Sequence, residues 1–313
     1  QDLQENKYRL RKLFNEALSI VGFMGGAFIF VDTGAEGEAL KLPLNFSDKS
    51  AELVGEDKTV KFIVIDPVNV SPGFYNASQP LKDDYLKPRS WFVLGQEVHA
   101  SRLIRLVDNE PPLLLRPAYN FLGIPQAQIL WDYVLHWNKA RETGVSILEK
   151  LNLTVFKTNF SEAFEAGGIE QLDAKMMLLQ RYRSNEAIFA CDSSEDLQNI
   201  TLTISGVEGI IRQALEFIAA INRTPAVKLL GISPSGFNAT GQSDIRNYYD
   251  HIKSKQELNR DAIQTVLKAI QLVEFGHVDP SISFKFNELG EADAAATAIT
   301  AKTKVDMLAV LQD

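Results

Sequence analysis

Cysteine is nearly absent from this sequence, and so are long apolar runs and any excess of positive charge. The single residue Cys191 excludes a disulfide within the chain and a cysteine-rich zinc site, and it favours a reducing compartment. No apolar stretch reaches the ~18 residues that a helix needs to span a bilayer. Acidic residues outnumber basic ones by 40 to 32, which gives a net charge of -8. Such a chain is poorly suited to grip a nucleic-acid backbone, because that grip depends on Lys and Arg displacing counterions.

The remaining composition is typical of an ordinary globular protein. Apolar residues make up 45% and charged residues 23% of the 313 positions, which is enough to bury a large core. At about 150 residues per domain, this length predicts two or three domains. The chain begins with Gln1 rather than with Met, a signal peptide or a basic transit segment, so we expect a fragment of a longer protein.

The first half of the chain predicts a mixture of helices and strands. Apolar residues recur at three- and four-residue spacing from Leu10 to Val21, which predicts a helix that ends at Gly25-Gly26. Residues 71–90 are rich in Pro, Asn and Asp and predict irregular structure. The remaining apolar runs predict strands at 27–31, 60–65, 91–94 and 103–107, a turn at 99–102, and a long helix over about 125–151.

The second half predicts a small unit followed by two helical regions. A helix is expected at 169–182, strands at 187–191 and 200–205, a helix at 207–221 and a strand at 227–232. Ser243, a good cap beside Asp244, predicts the start of a helical stretch that runs to about residue 275 with a break near Asn259. The pattern then predicts a strand at 282–286 and a helix at 291–311.

Residues 236–243 have the spacing G-x-x-x-x-G-x-S, between a predicted strand and a predicted helix. That is the context of a phosphate-binding P-loop, but Gln242 occupies the position where a P-loop has Lys. Because no ammonium is there to neutralise the β- and γ-phosphates, we expect a structural turn formed by Gly236, Asn238 and Gly241 rather than a nucleotide site. Its backbone amides could hold an isolated anion.

No other constellation predicts a catalytic, metal or cofactor site. None of the four histidines has a His or Cys partner at metal-ligand spacing. The paired carboxylates Asp83-Asp84 have no basic partner nearby and indicate a surface loop. Ser101 follows His99 by two residues, but the glycines of a G-x-S-x-G elbow are absent.

Charge in the helical region 241–276 is balanced. Five basic residues are matched by five acidic ones, so the region is not a clamp for nucleic acid. It could instead line a passage in which weak, mobile contact is needed. The five basic residues are Arg246, Lys253, Lys255, Arg260 and Lys268.

Two blocks of the sequence carry a resemblance to a known family. The first contains the strings at 99–103, 111–112, 115–117 and 121–125, and the second contains those at 224–226, 229–231, 233–241 and 244–250. With this proline–glycine–asparagine string before a helix, the chain resembles tailed-phage portal proteins over about residues 10–311. The similarity is greatest to a branch whose domain also occurs at the N-terminus of some anti-CBASS proteins.

The resemblance implies an α+β portal fold and a ring, commonly of twelve subunits, at one vertex of a virion capsid. Double-stranded DNA would pass non-specifically through the ring during packaging and ejection. The implied partners are the terminase motor, the major capsid protein and a head–tail adaptor, with assembly in the bacterial host cytoplasm and no membrane. The corresponding divisions are a wing at 1–165, a first stem helix at 166–184, a small α/β clip at 185–233, a second stem helix with the tunnel-loop region at 234–275, and the wing return and base of a truncated crown at 276–313.

Within this plan the second stem helix supplies the candidate DNA-tunnel contacts Arg246, Lys253 and Lys255. No enzymatic activity and no cofactor are implied, because the packaging motor is a separate protein in this family. Three alternatives stay open: a cyclic-nucleotide phosphodiesterase of the anti-CBASS type, another head–tail connector ring, and a monomeric nucleotide-binding module. The phosphodiesterase requires two His-x-Thr/Ser motifs, of which only His99-Ala100-Ser101 is present.

Overall fold

The computed structural model forms two compact units, one from residues up to Val134 together with those from Glu216 onward, the other from Leu135 to Leu215. None of the helices in the described ranges is long and apolar enough to cross a membrane. The described residues are 7–150, 152–157, 170, 173–174, 177, 196–201, 206–231, 242–289 and 302–303.

In the described ranges, six α-helices and eight strands can be assigned, and most follow the predicted pattern. The helices are α1 (Leu10–Met24), α2 (Gln126–Lys150), α3 (Val207–Ile221), α4 (Ala226–Leu230), α5 (Gln242–Leu258) and α6 (Arg260–Phe275). The strands are β1 (Gly26–Asp32), β2 (Lys61–Ile65), β3 (Val70–Pro72), β4 (Ser90–Val93), β5 (Gln96–His99), β6 (Leu103–Val107), β7 (Asn152–Lys157) and β8 (Asp196–Thr201). Mixed helix and sheet content is therefore confirmed.

The central element of the larger unit is strand β1. It pairs antiparallel with β2 on one side and β6 on the other, so that Phe28 lies opposite both Ile65 and Arg105. The first four residues of β1 are all buried, which explains its unbroken apolar sequence, because a strand covered on both faces needs no polar side.

Strand β1 lies in the middle of three layers. On one face, the buried side chains of Ala27, Ile29 and Val31 pack in one cluster with residues of α1 and α6. On the other face, Phe28 joins a second cluster with Trp91 of the sheet β3-β4-β5, with their ring centroids 4.8 Å apart. The order of layers is therefore helices, central sheet and second sheet.

Strand β5 is not predicted by the sequence, although β4 is. The two strands form a hairpin in which Leu94 and Gly95 both have positive φ, at 47° and 89°. Such two-residue turns favour Asn-Gly or Asp-Gly, so Leu at the first position hides the hairpin from sequence analysis.

The smaller unit contains a hairpin-like pair of strands that the sequence predicts only in part. Strand β7 lies opposite β8 with Asn152 facing Thr201 and Lys157 facing Asp196. The sequence places no strand at β7, and β8 begins four residues earlier than the predicted strand at 200–205. Elsewhere in this unit, α2 and α3 approach closely where a Cβ on Gly144 would lie 3.2 Å from Val207.

Two strand predictions in the second half are wrong. Residues predicted as a strand at 227–232 form the short helix α4, which begins after Pro225 and ends at Gly231 with φ 68°. Pro225 before the first turn and the left-handed Gly231 after the last turn are typical helix boundaries. They decide the structure here, although the segment contains the β-branched residue Val227. The segment predicted as a strand at 282–286 is outside any strand of the described chain.

Several predictions fall outside the described residues. These are nearly all of the helices at 169–182 and 291–311 and the whole strand at 187–191. The division into wing, stem, clip and crown stays a prediction.

Candidate nucleic-acid interface

Helix α5 presents two of the three predicted DNA contacts on one face. Arg246 and Lys253 are seven residues apart, so they lie within about 20° of each other around the helix axis. Both side chains are exposed. Lys255, nine residues from Arg246, is about 180° away and belongs to the opposite face.

The exposed face of α5 carries charges of alternating sign. Asp250 lies between the two cations, with one carboxylate oxygen 3.9 Å from the Lys253 ammonium, and the two side chains are 62% and 65% exposed. Further along, Glu257 accepts two hydrogen bonds of 2.6 Å from Arg260, which lower the pKa of the Glu257 carboxyl. The face is therefore neither a cationic clamp nor a uniformly repulsive wall.

Lys255 makes an internal contact instead. Its ammonium pairs with the carboxylate of Asp108, which directly follows β6, and both side chains are largely covered. The nearby His251 has its pKa lowered by burial and by the Lys255 cation. Lys255 thus holds α5 against the end of β6, a role that its sequence context does not indicate.

A cleft of about 550 Å³ brings together two segments that carry the portal-like strings. One wall contains Thr224 and Pro225 before α4, and the other contains Asp244, Asn247 and Tyr248 of α5. The sequence alone does not place these segments side by side.

The predicted turn residues Gly236, Asn238 and Gly241 lie outside the described residues, so their role stays a prediction. Helix α5 begins at Gln242, one residue before the predicted start at Ser243.

His99 and Ser101 form a local structural link. The Ser101 backbone N–H donates to His99 Nδ1 at 3.2 Å, so Nδ1 is the acceptor nitrogen and the Ser101 hydroxyl donates to it at 2.9 Å. Ser101 Oγ in turn accepts a 2.8 Å hydrogen bond from the backbone N–H of Leu44. Burial and the Arg102 cation lower the pKa of His99. The pair secures a loop rather than activating a nucleophile.

The neighbouring Arg102 is fully buried. Its guanidinium donates to both carboxylate oxygens of Glu52, at 2.8 and 2.6 Å, and to the backbone oxygens of Ala39 and Leu42. The hydrogen bond from Arg102 and a further one from the Thr33 hydroxyl lower the pKa of Glu52, against the opposing effect of its burial. This cluster connects the loop over residues 33–52 to the start of β6, and nothing in the sequence predicts it.

Gly25 and Gly123 allow three backbone segments to meet. The backbone N–H groups of Asp108 and Gly123 both donate to the Gly25 carbonyl, at 3.2 and 3.0 Å. A Cβ on Gly123 would lie 1.5 Å from the Asp108 carbonyl oxygen. Position 123, in the 121–125 string, therefore requires glycine, because a side chain would clash with the Asp108 backbone.

Within the described ranges, no group of three or more His, Cys, Asp or Glu residues could hold a metal ion. An aromatic contact is also present at α5, where the Lys228 ammonium lies 5.9 Å from the centroid of the Tyr249 ring.

A comparison with known protein families identifies the family of this chain. A family model described as phage portal protein matches residues 2–310. The chain belongs to the phage portal protein family. The predicted resemblance is thereby confirmed. Portal proteins are structural components of the virion capsid rather than enzymes.

Curated relatives of this portal-family chain are longer proteins. It is 40% identical to the anti-CBASS protein Acb1 of a Caulobacter species over 260 residues, which cover 77% of this chain and 40% of that protein. The corresponding protein of Sphingomonas paeninsulae is 24% identical over 201 residues, 62% of this chain and 32% of its own length. An uncharacterized protein of Haemophilus influenzae is 20% identical over 310 residues, 97% of this chain and 66% of that protein. The chain thus spans about one third to two thirds of the relatives that it matches.

Among solved structures, a portal protein of the HK97 family from Corynebacterium diphtheriae matches at 10% identity. The TM-score is 0.35, and the match covers 77% of this chain and 69% of the other.

Proposed function

We propose that copies of this chain close into a ring, commonly of twelve subunits in this family, through which double-stranded viral DNA enters and leaves the capsid. The match of the portal family model to residues 2–310 carries this proposal. The ring sits at a capsid vertex of the virion, after assembly in the bacterial host cytoplasm. It docks the terminase motor and the head–tail adaptor and contacts the major capsid protein.

The exposed face of α5 is the proposed DNA-facing surface, with Arg246 and Lys253 as the phosphate contacts. Affinity for DNA rises with each neutralised phosphate, so a densely basic channel would retain its cargo. Asp250 and Glu257 alternate with the two cations, which keeps each contact weak. The net charge of -8 per chain, repeated around a ring, adds a field that repels DNA from the wall at longer range.

Native mass measurement and end-on electron micrographs of the purified protein test the ring. Closed rings with a central hole wide enough for duplex DNA are expected. Single compact copies under every assembly condition would contradict the proposal.

The DNA-facing surface has its own test. Replacing Arg246 and Lys253 together by Gln should weaken the salt dependence of DNA retention by assembled rings, because two phosphate contacts are lost. The control is Lys61→Gln, at an exposed lysine on strand β2. Identical retention by the double variant and the control would remove α5 from the channel wall.

A cyclic-nucleotide phosphodiesterase is the second candidate, because two relatives carry the name anti-CBASS protein Acb1. The chain covers only 32% and 40% of those proteins, and it has one His-x-Ser motif in place of two. In that motif, the His99 Nδ1 and the Ser101 hydroxyl hydrogen-bond each other and the backbone. We expect no hydrolysis of cyclic dinucleotides or trinucleotides, and turnover that His99→Ala abolishes would establish the enzyme instead.

A further inference from the structure

Strand β6 leaves one edge of the central sheet open. The strand order is β2-β1-β6, so in the described part of the chain β6 pairs on one side only. An edge strand presents a row of backbone N–H and C=O groups that can accept another extended chain.

Two clefts adjoin this open edge. The larger, of about 590 Å³, is lined by every residue of β6 and by Asp261 and Ala262 at the start of α6. The smaller, of about 270 Å³, is lined by Leu103 and Arg105 of β6 together with Trp91 and Arg116. Room for an added strand therefore exists along β6, with an aromatic and cationic wall next to the alternate residues Leu103 and Arg105.

In the smaller cleft, Arg105 donates to the backbone carbonyl of Phe121, whereas one donor of Arg116 has no partner in the described chain. Arg105 and Arg116 share one carboxylate, Glu110, at 3.7 and 3.1 Å. The Nε atom of Arg116 is buried and has no hydrogen-bond partner among the described residues. Two guanidinium groups beside an apolar wall suit aromatic rings, which attract cations over their faces.

The segment 281–287 has the pattern of a strand but no strand partner in the described chain. Ile282, Phe284 and Phe286 alternate with Ser283 and Lys285, and Ile282 is 44% exposed. The backbone N–H groups of residues 283–286 donate to no group within the described ranges. Among the described residues, this partly exposed β-type segment therefore has no pairing partner.

The two phenylalanines already contact a guanidinium group within their own chain. Phe284 and Phe286 each have a ring centroid 5.2 Å from the guanidinium carbon of Arg260. Their rings pack edge to face at 5.1 Å. The aromatic side of the segment therefore matches an arginine-lined wall.

We propose that residues 282–286 of one copy add as a strand to the open edge of β6 in the neighbouring copy. Phe284 and Phe286 then face Arg105, Arg116 and Trp91. Lys285, on the other side of the added strand, faces the exposed carboxylate of Asp261. The occupant is a second copy of this chain, and this inference rests on the ring of the proposed function.

The two surfaces are different, so each copy both donates and accepts. The donated segment lies against Gln264 and Leu267 of its own chain, whereas the larger cleft is lined by Asp261 and Thr265 on a different face of α6. Such a heterologous contact repeats from copy to copy and closes into a ring when the rotation allows it.

Directed cross-linking between differently tagged copies tests this pairing. In a Cys191→Ser background, one tagged copy carries Lys285→Cys and the other carries Asp261→Cys, and the two are co-expressed and oxidised. A disulfide between the two tags can form only between copies. The control pairs Lys285→Cys with Glu56→Cys, an exposed position that lines neither of the two clefts.

We expect at least about tenfold more cross-linked product from the Asp261 pair than from the control, which corresponds to a preference of about 1.4 kcal/mol. Closed rings with equal cross-linking in both pairs would overturn the strand addition and leave the ring standing. Specific cross-linking without closed rings would support the strand addition and overturn the ring. Absence of both would overturn both.

A proline substitution at Lys285 provides a second test, which should leave the fold of the isolated copy intact. Lys285→Pro removes a backbone N–H that has no partner in the described chain, whereas Lys285→Ala shortens the side chain and keeps that N–H. The proline variant should lower the fraction of assembled rings far more than the alanine variant, at an unchanged melting temperature of the isolated copy. Equal assembly of the two variants would contradict backbone pairing at this position.

Discussion

The fully buried guanidinium of Arg102 donates to both carboxylate oxygens of Glu52, at 2.8 and 2.6 Å. Two backbone carbonyls accept its other hydrogen bonds, at 2.9 and 3.0 Å. The arginine belongs to the string at 99–103, one of those on which the predicted resemblance to portal proteins rests. Arg102 therefore has a structural role, since it attaches the long loop over residues 33–52 to the central sheet.

Removing the carboxylate should destabilise the protein strongly. Glu52→Ala leaves a buried cation without its anion, which typically costs about 3–5 kcal/mol. Urea unfolding followed by circular dichroism measures the loss. Glu38→Ala, which removes an exposed pair with Lys41, should cost no more than about 1 kcal/mol, and a similar loss for both variants would contradict the buried pair.

The same pair predicts a pH dependence. Because Arg102 lowers the pKa of Glu52 in the folded protein below its usual 4.5, the pair stabilises the fold fully above that value. The stabilisation is lost as the pH falls from 4.5 through the lowered folded pKa. The difference in unfolding free energy between the wild type and Glu52→Gln should therefore shrink on acidification below 4.5, and a difference that grows would refute the sign of the shift.

Gly123 should tolerate no side chain. Gly123→Ala places a Cβ against the Asp108 carbonyl, and the backbone displacement should cost about 3 kcal/mol or more. Gly34→Ala is the control, since Gly34 has φ +81° but open space around it, and it should cost about 1–2 kcal/mol. Thermal unfolding compares the two, and equal losses would show that the close approach is not rigid.

Lys253 and Lys255 should contribute differently to the stability of the protein. Lys255→Met removes a part-buried contact to Asp108 and should cost about 1.5–3 kcal/mol of stability, as for hydrogen bonds to charged groups. Lys253→Met, on the exposed face, should stay within about 0.5 kcal/mol of wild type. Chemical denaturation distinguishes them, and equal stability of the two variants would disprove the internal role of Lys255.

Sequence periodicity predicts the longer helices well. Helices α2 and α3 appear within one residue of their predicted ends, and the predicted break near Asn259 separates α5 from α6. Each has a regular apolar spacing over several turns, together with Gly, Asn or Pro at its ends. Strand β1 is equally clear, because both of its faces are buried.

Features that depend on distant partners are not predictable in this way. Arg102 and Glu52 are 50 residues apart, and each looks like an ordinary surface charge in its own segment. Lys255 looks the same as Lys253 by composition, and only the position of Asp108 separates them. Helix α4 is too short for periodicity, so its Pro225 and Gly231 boundaries were the better signal.

The ion pair between Lys255 and Asp108 is near one end of α5, whereas Arg246 is nine residues away. At 1.5 Å per residue, the two positions are about 14 Å apart along the axis. Asp108, which anchors Lys255, is also part of the crowded backbone junction with Gly25 and Gly123. If DNA passes this face of α5, as proposed, a force on Arg246 would reach the central sheet in part through the Lys255–Asp108 pair.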